Sequence, residues 1–170
     1  MKHLDLPRKH EGTTIGFQKR NFVPSCLRGV LMLAGLLGVA PSLTAADALD
    51  SMIDRAVAIQ MSLSHDKLDG VASNATTIST DAASLGKGAE KIAGGAMALQ
   101  KAKTIADARD AFGRMSDALV AYLDTQKRKP GGGVRVAYCP MARKPWLQKD
   151  GAIQNPYYGS QMLTCGSFKP

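Results

Sequence analysis

The chain has 170 residues, 45% apolar and 21% charged. That fits one small globular domain and excludes a disordered tail, a Rossmann or barrel enzyme and a multispan membrane protein. Its formal charge of +8 is unevenly spread: residues 1–46 hold six Lys/Arg against Asp5 and Glu11, residues 47–126 net −3, and residues 127–170 net +7.

The first segment reads as an export signal. Lys2, Arg8, Lys9, Lys19, Arg20 and Arg28 precede the apolar run Val30–Ala40, Pro41 ends that run, and small residues lead to Ala46-Asp47. A basic stretch, a short apolar core and a small-residue site form the secretory pattern, with cleavage expected near Ala46. The run has 11 residues, well short of the ~20 that span a bilayer. Stable membrane insertion after cleavage is therefore not expected, and the mature domain is expected to be periplasmic or secreted. Cys26 lies before the apolar core, which argues against a lipid-modified cysteine.

Residues 47–126 show four stretches with the helical period of three and four. The first carries Leu49, Met52, Ala56, Ile59 and Leu63; the second Val71, Ala75, Ile78, Ala82 and Leu85; the third Ala89, Ile92, Ala96 and Leu99. Ile105, Ala108, Phe112, Met115, Leu119 and Tyr122 mark the fourth, opened by Thr104 as N-cap with Asp107 three residues on. Breaks fall at Gly70, at Gly86-Lys-Gly88 and near Lys103-Thr104. Connections this short predict an all-α, antiparallel four-helix bundle with a thin, alanine-rich core. Met52, Met61, Met97 and Met115 are expected to pack inside it. The second helix is the weakest, because Thr76, Thr77, Ser79 and Thr80 are poor helix formers.

Lys127–Gly133 reads as a linker, and residues 134–170 as an extended tail of different character. The tail carries five of the seven aromatics that follow residue 46. Nucleic acid is not expected as a partner in an exported protein, and docking of the basic tail on the acidic bundle explains the charge better. Val134, Val136 and Tyr138 alternate like a strand, with Met162–Cys165 as the expected partner in a short hairpin. That pairing brings Cys139 and Cys165 together.

Cys139, Met141, Met162 and Cys165 place two thiols and two thioethers within 27 residues. Such soft donors suit copper(I), and by the same argument silver(I), better than magnesium or calcium. Zinc fits less well, since only two Cys and one His follow residue 46. Trp146 lies between the pairs, where its ring face is placed to shield a cation. His65, beside Asp66 and Asp69, is a weak ligand candidate and reads more simply as a solvated helix-terminal residue. The competing assignment is a Cys139–Cys165 disulfide, the usual state of two cysteines in an exported domain. Closing that loop stabilises a fold by roughly 3.5 kcal/mol on the chain-entropy model. Asn155-Pro156-Tyr157 reads as a turn whose aromatics pack on the bundle.

Several segments carry a likeness to known proteins. Tyr138-Cys-Pro-Met-Ala142, Trp146-Leu-Gln148, Ile153-Gln-Asn-Pro-Tyr-Tyr-Gly159 and Met162-Leu-Thr-Cys-Gly166 resemble a bacterial domain-of-unknown-function family. Its members are secreted helical domains, found alone or joined to periplasmic adaptor subunits of heavy-metal efflux systems. Ile105–Ser116 is similar to the last-helix signature of that family, with Arg109, Phe112 and Ser116 at matching places. The resemblance spans roughly residues 47–168, specific in the tail and faint in the first two helices. It implies an envelope protein connected with copper or related metals, an efflux adaptor as partner, and Cys139, Met141, Met162 and Cys165 as the matched site positions. The stretch Arg143-Lys144-Pro145 departs from the pattern by being short and basic, which weakens a neighbouring cation site electrostatically.

Catalysis is not expected. One His and one Glu (Glu90) after residue 46 leave little for acid–base or triad chemistry. Covalent c-type haem is excluded because Cys-x-x-Cys-His is absent, and no organic cofactor is expected, since Gly131-Gly-Gly133 opens no phosphate-binding helix. The expectation is a soft-metal binding module accessory to heavy-metal efflux. Its alternative is a non-catalytic interaction domain stapled by the Cys139–Cys165 disulfide.

Overall fold

A computed structural model describes residues 44–170. The basic stretch and apolar run of the expected signal peptide lie outside the described residues. Four helices follow in order: α1 (Ala45–Ser64), α2 (Val71–Leu85), α3 (Glu90–Lys101) and α4 (Ile105–Thr125). Thr104 caps α4 as its sequence foretells, its hydroxyl accepting from the Asp107 amide at 3.1 Å. Thr44 does the same for α1, with Asp47 completing a capping box. Thr44 and Ala45 precede the expected cut near Ala46, so cleavage there removes the cap of the first helix. In the threonine-rich α2, Thr76, Thr77 and Thr80 donate their hydroxyls back to carbonyls four residues earlier, and the helix is held by its buried face of Val71, Ala75, Ile78 and Ala82.

The helices bury Met52, Ile59, Leu63, Ile78, Ile92, Leu99, Phe112, Met115 and Leu119, with alanines between them. Met61 and Met97, expected inside, are instead 43% and 48% exposed. The α3–α4 approach is set by Gly95, where an added Cβ would lie 2.7 Å from the Met115 Cα. Consecutive helices pack on one another, but α1 and α4 scarcely meet.

A strand fills that gap, and the chain is therefore not all-α. Residues beyond the helices form a three-stranded antiparallel sheet, order β2-β1-β3, from β1 (Val134–Cys139), β2 (Lys144–Lys149) and β3 (Ser167–Phe168). The β2 strand packs against both α1 and α4, so four helices and an antiparallel sheet share one core. Nor is Met162–Cys165 the partner of β1. Its partner is β2, in the register Val134↔Lys149 through Cys139↔Lys144, while β3 pairs with Ala137 and Tyr138 on the other edge. Local closure wins because four residues, Pro140 to Arg143, complete the turn, with Arg143 in the left-handed region (φ 54°).

The β2 sequence hides its strand character. Pro145, Trp146, Leu147 and Gln148 are all buried, so no polar–apolar alternation marks them. Pro145 is tolerated because β2 is an edge strand. Its carbonyl accepts from Ser116 Oγ of α4 at 2.9 Å and from the Tyr157 hydroxyl at 2.5 Å. Side chains of the helical region and the tail thus satisfy the Pro145 carbonyl. Lys127–Gly133 connects the two parts, anchored by Arg128, whose guanidinium contacts both carboxylate oxygens of Asp50 on α1 at 2.7 Å.

Candidate metal centre

Antiparallel register puts Ala137, Cys139, Trp146, Gln148 and Phe168 on one face of the sheet. Residues 151–166 fold over that face. Gln148 accepts from the Gln154 amide at 3.0 Å and donates to the Ala152 carbonyl at 2.9 Å. Trp146, fully buried, gives its indole N–H to Gln148 at 3.0 Å and meets Tyr157 edge-on at 5.9 Å between ring centroids. Tyr157 packs in turn on Phe112 of α4, 5.8 Å away, and burial pushes its phenol far above the usual range. It stays neutral and acts as a donor.

Asn155 organises the returning chain. Its side-chain oxygen accepts from the amides of Tyr157 and Tyr158, the expected turn, and its amide nitrogen donates to the Cys165 carbonyl at 2.7 Å. The Cys165 N–H donates to Met162 at 3.0 Å. With both backbone groups of Cys165 held, its sulfur is delivered to Cys139 at the end of β1. The two Sγ atoms are 4.0 Å apart, and both cysteines are free thiols.

The two thiols differ. Cys139 is fully buried, and its sulfur accepts a 3.3 Å hydrogen bond from the Ala142 amide in the turn between β1 and β2. Cys165 is half-buried, and burial next to Cys139 pushes its thiol above the usual range. Lys144, opposite Cys139 in the register, has its ammonium held at 2.5 Å by Asp117 of α4. The basic Arg143-Lys144 pair therefore weighs less against a cation than its sequence position implies.

The methionines sit on the two turns that carry the cysteines, and both are exposed: Met141 at 63% and Met162 at 38%. Cys139 and Cys165 are brought into contact, whereas the two thioethers lie at the surface beside them in sequence. Trp146 shares the face of Cys139, with its ring edge 2.7 Å from where a Gly166 Cβ would stand. It is locked between Gln148, Tyr157 and Gly166. His65 caps α1, its Nδ1 within 2.9 Å of the Met61 carbonyl. Among the described residues no group of three His, Cys, Asp or Glu side chains gathers as a metal site, so His65 does not join the cysteine pair.

The clamp that holds the tail was less legible. Arg109 of α4 donates to the carbonyls of Leu63 and Pro156 and pairs with Asp66 just beyond α1. Asp66 also accepts from the Ser160 amide at 3.1 Å. Hydrogen bonds from Ser160, then from Arg109, hold its carboxyl at about 2. Gly159 makes the approach feasible (φ 54°), since an added Cβ would come within 2.1 Å of Asp66. Arg109, Phe112 and Ser116, spaced along one face of α4, each contact the tail. Their helical spacing was the available signal, and what they touch was not. Docking rests on these contacts and on buried aromatics, with Lys144–Asp117 an ion pair between tail and helices.

Comparison with protein-family models, with curated proteins and with solved structures finds no match. Among the described residues no helix is long and apolar enough to cross a membrane.

Proposed function

We propose that this chain is an envelope metal-binding module, accessory to heavy-metal efflux or homeostasis, that takes copper(I) as its cargo through Cys139 and Cys165. One observation carries the reading: two cysteine sulfurs from separate turns meet at 4.0 Å. Sulfurs sharing one ion at metal–sulfur distances of ~2.3 Å stand about 4.0 Å apart when the angle between the bonds is about 120°. Soft thiolates select a monovalent soft cation. Met141 and Met162, exposed on the flanking turns, supply thioethers where cargo arrives and leaves, and delivery to an efflux adaptor follows by ligand exchange. The location rests on the export-signal pattern of the sequence, and the partner on the sequence resemblance alone.

Binding displaces the Cys165 proton, whose hold is strengthened by burial, so affinity rises with pH. An anaerobic titration of the reduced protein with copper(I) against a competing chelator tests the site. One tightly held equivalent is expected, and it is lost in the Cys139→Ser, Cys165→Ser double variant. Binding unchanged in that variant overturns the assignment.

The second reading is a non-catalytic interaction domain in which the same pair is a permanent disulfide joining the end of β1 to the segment before β3. The proximity of the sulfurs favours it in an oxidising compartment. It requires reductant to lower the melting temperature markedly, and copper to change nothing.

A further inference from the structure

The pair is asymmetric in a way that metal capture does not need. Cys139 is sealed, with no exposed surface, and its sulfur is engaged by the Ala142 amide. Cys165 is half-buried, on a segment whose backbone is fixed by Asn155 and Met162. A reagent arriving from solvent meets Cys165 first, while Cys139 waits at 4.0 Å from its sulfur. We infer that Cys165 is the entry sulfur, and Cys139 the resolving sulfur, of an ordered thiol–disulfide exchange with external disulfides.

The chemistry balances with a disulfide R–S–S–R as the oxidant. The Cys165 sulfur, as its thiolate and so slowly at neutral pH because burial raises its thiol, attacks one sulfur of R–S–S–R, breaking that bond, forming Cys165–S–S–R and releasing one R–S⁻, which takes up the Cys165 proton. Cys139 then attacks the Cys165 sulfur, closing Cys139–Cys165 and expelling the second R–S⁻, which takes the Cys139 proton. Two thiols are oxidised by two electrons, and one disulfide is reduced to two thiols. The 26-residue separation is already closed by the fold, so the second step begins with the two sulfurs 4.0 Å apart. The inference concerns the metal-free pair and holds whether or not copper(I) is the cargo. The substrate class is an accessible aliphatic disulfide, small or on an exported thiol oxidase.

Oxidised glutathione serves as the probe, with the reduced full chain quenched by acid at intervals and the adducts mapped by peptide mass. In the wild type the transient glutathione adduct is expected on Cys165, followed by the internal disulfide. Cys139→Ser is expected to accumulate the Cys165 adduct, whereas Cys165→Ser modifies Cys139 at least ten-fold more slowly. Equal rates in the two variants, with native circular dichroism in both, overturn the order. Should either variant fail to fold, the wild-type time course decides: an adduct appearing first on Cys139, or no adduct before the internal disulfide, refutes the inference. A failed copper titration with an ordered exchange would remove the metal reading alone, and the converse result would remove the exchange alone.

Discussion

The helical region and the tail are built on different principles, and the contrast explains where the site lies. Residues 45–125 use periodic apolar side chains, capped ends and short turns, and gain stability from many modest burials such as Ile59, Ile78 and Leu119. Residues 134–170 hold six residues in each of two strands and little other regular structure. They depend on a few large anchors (Trp146, Leu147, Tyr157) and on side chains that satisfy backbone groups, such as Asn155, Gln148 and Arg109. Irregular backbone of that kind places two sequence-distant sulfurs in contact, which a helix or a strand alone does not do. The regular part is the scaffold and the irregular part carries the chemistry.

That division is not independence, because β2 occupies the space between α1 and α4. Trp146→Ala breaks the comparison most severely, with an expected cost of about 3–5 kcal/mol. Chemical denaturation followed by both circular dichroism and tyrosine fluorescence should show one transition moved to lower denaturant. Two separate transitions would mean that the helices stand without the tail. Gly159→Ala comes next. Its Cβ collides with Asp66 and Arg109 at a positive φ, for an expected loss of about 1–3 kcal/mol. A smaller loss from Gly159→Ala in an Asp66→Ala background than in the wild type would place part of the clash there.

The helical counterpart is Gly95→Ala, which drives a Cβ into the Met115 backbone. The gain of about 1 kcal/mol in helix propensity offsets part of the overpacking, but the collision is with helix backbone and not with movable side-chain ends, so the melting temperature should fall about as far as for Gly159→Ala. Smaller still is Thr104→Ala, at about 1 kcal/mol for a lost cap. Acid sharpens the contrast. Asp66 titrates at about 2 in the folded chain, below its unfolded value near 4. Its stabilisation is therefore complete above about pH 4 and disappears as pH falls from there toward 2. Asp66→Asn should flatten stability over that window, as measured by denaturation at a series of pH values.

Legibility follows the same line. All four helices, the breaks at Gly70, Gly86 and Lys103, and the Thr104 cap were readable, because helical periodicity and capping are local signals. The sheet was not. Lys144–Lys149 contains a proline and is buried on both faces, so it shows neither alternation nor a usual strand composition. The cysteine contact was foreseen through the wrong pairing: β1 closes on β2, and Cys165 arrives through Asn155. Arg109 with Asp66 could be marked as residues but not as a pair, since nothing local specifies a contact 43 positions apart.

X-ray absorption at the copper edge of the anaerobically loaded, reduced protein tests the central claim most directly. The account predicts a first shell of sulfur alone at about 2.3 Å, abolished with copper retention in the Cys139→Ser, Cys165→Ser variant. A shell of nitrogen and oxygen, or copper equally retained by that variant, would contradict it.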